Sequence, residues 1–254
     1  MNITVIHGSM RKGNTYKLTR AALERIRSYD DVYVTEFDVN TLELPFCLSC
    51  HGCFSKGEEF CPHREKMRPI TDCLEACDAV IVSGVVYSLH LNAAMKNLID
   101  HVSYYFHRPR LFGKPGMVVT TTAGAAEKTI AKYLRGTLGA WGAGPVYRLS
   151  CKVQSESFEL SVKQRKLVEN TADRLYGAVK SGKRGSPSIQ SIAIYNTFRG
   201  MSAAKYGPSE YDKKYWSESG LGEKTYPYRI NPVKAMFGGL TYKAMKSMMD
   251  KEKN

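Results

Sequence analysis

Two hydrophobic periods alternate along the first 180 residues, and few folds accept that pattern. Short runs rich in β-branched residues recur at 3–7, 32–39, 79–84, 117–122 and 146–153. Between them lie stretches with apolar residues at helical spacing: 16–28 with Leu18, Ala22, Leu23 and Ile26, 91–106 with Met95, Leu98, Ile99 and Val102, then 128–141 and 159–179. Strands that alternate with helices form parallel sheets covered on both faces. The third run, Ala79-Val80-Ile81-Val82, is apolar without a break, as a strand buried on both sides requires. The fold expected is an α/β three-layer sandwich on a five-stranded parallel sheet.

The chain has 254 residues, 43% of them hydrophobic, enough for a real core. No apolar run approaches the ~20 residues of a membrane span, and the first residues show neither basic region nor cleavage site. The expectation is a cytoplasmic protein with no membrane association. Its net charge of +13, from 37 basic and 24 acidic residues, favours anionic partners such as phosphorylated cofactors. The aromatics of 206–228, among them Tyr206, Tyr211, Tyr215, Trp216, Tyr226 and Tyr228, lie among basic residues; they read as an interface or a lid, and no nucleic-acid partner is expected.

Two interruptions mark the organisation. Residues 44–67 form an insertion rich in Cys, His, Gly and Lys, too long for an ordinary connection. After 180, Ser181-Gly182-Lys183-Arg184-Gly185-Ser186-Pro187 reads as a linker. A helix near 189–201, the aromatic stretch and a Met-rich amphipathic segment at 233–249 follow, with Met236, Met245, Met248 and Met249 read as packing residues. The division expected is a domain over 1–180 and an extension over 181–254 that packs on the core or on a second subunit.

The first strand runs into Gly8-Ser9-Met10-Arg11-Lys12-Gly13-Asn14-Thr15 and then a helix. Glycines allow close backbone approach, Ser9, Asn14 and Thr15 offer donors, Arg11 and Lys12 add charge, and a helix N-terminus favours an anion. The alternative is a polar turn with Thr15 as helix N-cap. Neither the dinucleotide fingerprint nor the P-loop fits.

This loop resembles the GSxRxGNT loop of the NADPH-dependent FMN reductase family, which has the flavodoxin-like fold. Gly84-Val85-Val86-Tyr87-Ser88, with Ala94, Lys96-Asn97 and Asp100, resembles its stretch after strand three, and Thr120-Thr121-Thr122-Ala123-Gly124 its glycine-containing loop after strand four. The resemblance implies strand order 2-1-3-4-5 and bound FMN. It assigns the phosphate to Ser9, Arg11, Gly13, Asn14 and Thr15, the isoalloxazine ring to Val85, Val86, Tyr87 and Ser88, and its pyrimidine side to Thr121, Thr122, Ala123 and Gly124. Tyr87 either borders the ring, the one candidate for a direct part in catalysis, or is a core tyrosine. A valine stands where the family prefers proline, and His101 replaces its usual arginine. The resemblance implies NAD(P)H as co-substrate, a small acceptor such as a quinone, flavin or nitro compound, and a homodimer or homotetramer.

Four of the seven cysteines fall in Cys47-x2-Cys50-x2-Cys53-x7-Cys61-Pro62. The spacing is similar to the ferredoxin-type run, whose last cysteine also precedes proline. It also resembles the iron–sulfur flavoproteins, a branch of the family that carries [4Fe-4S] at this insertion; that would make the chain a one-electron relay with ferredoxin as partner. Reduced thiols and zinc remain open, although structural zinc prefers two separated pairs. His51 and His63 flank the run and are candidate substitute ligands, but read first as exposed loop residues; Cys73, Cys77 and Cys151 read as small core residues.

Overall fold

In the computed structural model, which describes residues 1–153, 158–182 and 184–251, the five apolar runs form one parallel sheet. Its strands are β1 (Asn2–Gly8), β2 (Tyr33–Asp38), β3 (Ala79–Val85), β4 (Gly116–Thr122) and β5 (Val146–Lys152), in the order β2-β1-β3-β4-β5. The register is regular, with Ile3 opposite Ala79, Val82 opposite Val118 and Thr121 opposite Cys151.

The alternation of side chains across each strand builds two cores. Ile6, Val80, Val82 and Val118 point to one face, where they meet α3 (Arg64–Ala76), α4 (Ala93–His101) and α6 (Glu127–Ala140). Ile3, Val5, Ala79, Ile81, Met117 and Val119 point to the other, under α1 (Asn14–Arg27) and α7 (Val162–Ser181). The four apolar residues expected on one face of α1 are all buried. A capping box between Ser161 and Gln164 starts α7, and Gly182 in the left-handed region ends it.

Between β2 and α3, the insertion forms a helical turn, α2 (Gly52–Ser55), and a 3₁₀ turn at Glu58–Phe60. A second short helix, α5 (Tyr104–His107), follows α4.

Beyond α7 lie α8 (Ile189–Ser202), α9 (Glu210–Glu218) and α10 (Pro232–Lys251). Ile192, Tyr195, Trp216 and Tyr226 form a small third core among them, so these aromatics are packed inward rather than offered for stacking. Helices α8 and α10 approach so closely that a Cβ on Gly200 would come within 2.6 Å of the Tyr242 carbonyl oxygen. The Met-rich segment only partly follows its reading as packing: Met236 and Met248 are exposed, and Gly238 is the buried residue of that helix. Lys183 of the linker lies outside the described residues.

Candidate functional site

The loop after β1 enters α1 through Gly13, which is the N-cap; Thr15 is the second helical residue and not the cap. No side chain caps this N-terminus. Arg11, Lys12, Gly13, Asn14 and Lys17 line a hollow of about 260 Å³ in front of it. Ser9 is buried and turns its hydroxyl onto the Arg11 carbonyl at 2.7 Å. Thr15 also faces inward, its Oγ1 lying 2.5 Å from Thr121 Oγ1, so a buried hydrogen bond ties the first turn of α1 to the end of β4.

The loop after β3 bends sharply. Tyr87 and His90 exchange both backbone hydrogen bonds, and Ser88 and Leu89 sit at φ 46° and 64°. Such a two-residue reversal needs positive φ at both positions and usually takes Gly or Asn, so two side-chain-bearing residues hold it under strain. Tyr87 is 70% exposed, which overturns its reading as a core tyrosine. In the loop after β4, Thr122 Oγ1 donates to the Ala125 carbonyl and accepts from the Gly124 N–H, while Ala123 and Gly124 stand exposed at the tip. The three loops lie together at the carboxyl edge of the sheet, beyond β1, β3 and β4, where open α/β sheets bind ligands.

Asn92 is buried at the junction, caps α4 through the Met95 N–H and donates to the Gly8 carbonyl. Asn97, also buried, accepts from the Cys47 N–H at 2.9 Å and donates to the carbonyls of Leu44 and Pro45 at 3.1 and 3.0 Å. One amide side chain thereby sets the path by which the insertion reaches its first cysteine.

All four clustered cysteines line one cavity of about 370 Å³, together with His63, Lys96, Asp100 and His101. Burial, with smaller contributions from the neighbouring thiols, pushes Cys53 up to about 11; Cys61 is raised for the same main reason. Among the described residues, no three His, Cys, Asp or Glu side chains converge into a site for a single metal ion. His51 is exposed, as expected, but His63 is half-buried with its Nδ1 2.9 Å from His101 Nε2. His101 is held by the Asn97 carbonyl through Nδ1, and burial lowers its affinity for a proton. Cys77 and Cys151 are buried, whereas Cys73 is only half-buried.

Charged residues that the sequence reading passed over stand behind the cavity. Arg108 is fully buried and donates to the Cys53 carbonyl, to Glu58 and to Asp212. Arg110 joins Glu58 at 2.7 Å, and Asp212 also pairs with His107 Nδ1 at 2.8 Å. The one available signal was Arg108-Pro109-Arg110 just after a helical pattern, which reads as a solvated turn.

Comparison with known proteins agrees with this architecture. Residues 1–154 match the family described as NADPH-dependent FMN reductase. An iron-sulfur flavoprotein from Archaeoglobus fulgidus is 30% identical over 225 residues, covering 87% of this chain and 100% of that protein. One from Clostridioides difficile is 26% identical over 199 residues, with 77% and 86% covered. Among solved structures, an apo NADH:FMN oxidoreductase superimposes with TM-score 0.55 at 19% identity, covering 70% of this chain and 89% of its own. An oxidoreductase from Corynebacterium diphtheriae gives 0.55 at 18% identity, with 71% and 97% covered. These two share the fold, which is flavodoxin-like. No described helix is long and apolar enough to cross a membrane. With a family match over more than half its length, the chain is a flavin oxidoreductase and belongs to the NADPH-dependent FMN reductase family.

Proposed function

We propose that this oxidoreductase carries FMN at the carboxyl edge of its sheet and a [4Fe-4S] cluster on Cys47, Cys50, Cys53 and Cys61, and relays electrons between them. The observation that carries the reading is the meeting of all four cysteines on one cavity. A zinc ion about 2.3 Å from each sulfur demands tight convergence. A cluster supplies its own bridging sulfides and accepts thiolates set further apart. The full-length similarity to a protein named iron-sulfur flavoprotein supports the same choice.

For FMN, the fit lies in the donor set. An uncapped helix N-terminus facing a hollow lined by Arg11, Lys12 and Lys17 suits a dianionic phosphate. In this reading Arg11, Gly13, Asn14 and Thr15 hold the phosphate, with Thr15 contributing its backbone because its hydroxyl is engaged with Thr121. Ser9 shapes the loop through the Arg11 carbonyl. Val85, Val86, Tyr87 and Ser88 border the ring on one side and Thr121, Thr122, Ala123 and Gly124 on another. When bound, FMN takes up hydride or single electrons and the cluster single electrons. Lys96 and Asp100, an ion pair on the cavity wall, keep its mouth polar.

Ferredoxin is the partner this reading favours. The second reading, an NAD(P)H oxidoreductase reducing a quinone, flavin or nitro compound, needs no cluster. The exposed Phe46, Leu48 and Phe60 of the insertion and Tyr87 and Leu89 of the loop after β3 support a homodimer or homotetramer. Residues 1–180 form the flavin unit in this proposal, and 181–254 an extension seated on it. The test is an absorbance spectrum with iron and sulfide analysis of protein purified without oxygen. Flavin bands with about four irons per chain support the relay. Flavin without iron leaves the NAD(P)H reductase, and a colourless protein that takes up no added FMN overturns both.

A further inference from the structure

Arg108 belongs neither to the cysteine run nor to the FMN loops, yet its guanidinium is completely buried. Such a charge is costly to bury unless it is paired and hydrogen-bonded. Here Nη2 donates to the Cys53 carbonyl at 2.6 Å and to Glu58 Oε2 at 3.2 Å, while Nη1 donates to Asp212 Oδ1. The rings of Tyr104 and Tyr211 lie 5.4 and 4.8 Å from its central carbon. Two of its partners are in the cysteine insertion and one is in the C-terminal extension.

The extension end of this bridge is firmly built. Asp212 is 1% exposed, its N–H donates to the Ser209 side chain that caps α9, and its second oxygen meets His107. The Trp216 indole N–H donates to the His107 carbonyl at 3.0 Å, and the Tyr215 hydroxyl to that of Pro109. Helix α9 thus lies along 107–110 and holds Arg108 against the insertion. One terminal nitrogen of the cation bonds the backbone of Cys53, a residue of the cavity wall, and shares Glu58, while Asp212 takes the other nitrogen. Charge at such a place bears on reduction, because adding an electron to a thiolate-bound centre is favoured by a nearby cation in a medium of low dielectric.

We propose that Arg108 is a positioning residue of the cysteine centre: gripped by Asp212 of the C-terminal extension, it fixes the backbone at Cys53 and sets a permanent positive charge beside the cavity that makes the centre easier to reduce. The proposal rests on the reading that the four cysteines hold a cluster.

The test pairs variants that change the charge in opposite senses. In the full-length protein, Arg108→Gln removes the cation and Asp212→Asn removes its counter-charge while keeping a side chain of the same shape. The cluster potential is measured by EPR-monitored redox titration at equal iron content. Arg108→Gln is expected to disfavour reduction about tenfold, about 59 mV for one electron, and Asp212→Asn to favour it by a similar factor. Arg108→Lys keeps the charge and is expected to stay within about twofold of the parent protein. Shifts of one sign in both charge variants, or none with iron retained, overturn the electrostatic role. A second measurement follows deuterium uptake by backbone amides of 50–61, with or without metal. Both arginine variants lose the planar fork that reaches Cys53 and Asp212 together, and faster exchange there is expected; unchanged exchange overturns the positioning role. If the parent protein carries no iron, the cluster reading and the electrostatic role fall together, and exchange in that protein still decides the positioning role. If Arg108→Gln does not fold, Arg108→Lys and Asp212→Asn supply both measurements.

Discussion

Asn97 carries the entrance to the cysteine loop, and its removal has a calculable consequence. Its side chain makes three hydrogen bonds to residues 44, 45 and 47, at 2.9 to 3.1 Å, and it is 7% exposed. Asn97→Leu keeps the volume and removes all three. A neutral hydrogen bond contributes about 1 kcal/mol net, which gives about 3 kcal/mol for the three where water can solvate the partners left behind. Pro45 is exposed, so water replaces that bond, and about 2 kcal/mol is the expected loss. In urea, with a slope of about 3 kcal/mol per molar for a chain of this size, the midpoint falls by about 0.7 M. Iron content falls with it, while FMN content does not, because no atom of Asn97 bonds to the three carboxyl-edge loops. Asn97→Asp retains the acceptor for the Cys47 N–H and turns a carboxylate oxygen towards the two carbonyls. It is expected to be no better than leucine at pH 7 and to recover partly in acid, where a protonated carboxyl donates. A loss under about 0.5 kcal/mol, the range of ordinary surface substitutions, together with full iron content, would refute the reasoning.

Other expectations follow from single contacts. Thr121→Val removes the partner of the buried Thr15 hydroxyl; it should cost about 1–2 kcal/mol in urea melts and weaken FMN binding, and undiminished stability would show that the bond contributes nothing. Arg11→Ala should weaken FMN about tenfold by fluorescence titration, with stability unchanged because the side chain is exposed; equal affinity would remove Arg11 from the phosphate site. In metal-free protein, Cys53 is a neutral thiol at pH 8, because burial holds its pKa at about 11. Its thiolate, the reactive form, is then about a hundredfold scarcer than that of an ordinary thiol. Alkylation of Cys53 followed by mass spectrometry should rise about tenfold per pH unit from 7 towards 10, and a plateau by pH 9 would contradict the burial. His101 is expected to destabilise the fold in acid. Its pKa is lowered in the folded state, so the unfolded chain binds the extra proton first, and stability falls as pH drops below about 6.5. Replacement by Gln should flatten urea midpoints between pH 7.5 and 5.5.

The sheet was legible because its information is local and repetitive. The unbroken apolar, β-branched run Ala79-Val80-Ile81-Val82 suits a strand covered on both faces, and residues at helical spacing in α1 are the ones that become buried. The three carboxyl-edge loops could be singled out for a different reason: the glycines and cations after the first strand occupy fixed offsets from a strand end. Side-chain direction was not legible. Thr15 looks like a cap in one dimension and faces Thr121 in three, because a residue 106 positions away supplies its partner. His63 reads as a loop residue until α4 brings His101 beside it. Met236 and Met248 have the spacing of a packing face, but helical period does not say which face finds a neighbour. Arg108 was missed for the strongest reason: nothing near it marks a buried charge, and its partners come from 53, 58 and 212.

That distribution bears on how the flavin site and the cysteine centre proposed for this chain relate. The family match ends at residue 154, and the three carboxyl-edge loops lie within it. The cysteine cavity also lies within that span, as do Asn97 and Arg108, but part of what holds Arg108 in place does not. Asp212, Tyr215 and Trp216 come from the extension, and each bonds to residues 107–110 behind the cavity. A chain shortened at residue 180 would keep every side chain assigned to FMN. It would strip Arg108 of Asp212, leaving a buried guanidinium with Glu58 and one carbonyl, at a cost of about 3–5 kcal/mol where a buried pair loses one member. The expected result is a flavin-binding domain whose cysteine insertion does not hold the proposed cluster. A truncated protein that retained both would show that the insertion organises itself and that the extension serves another purpose.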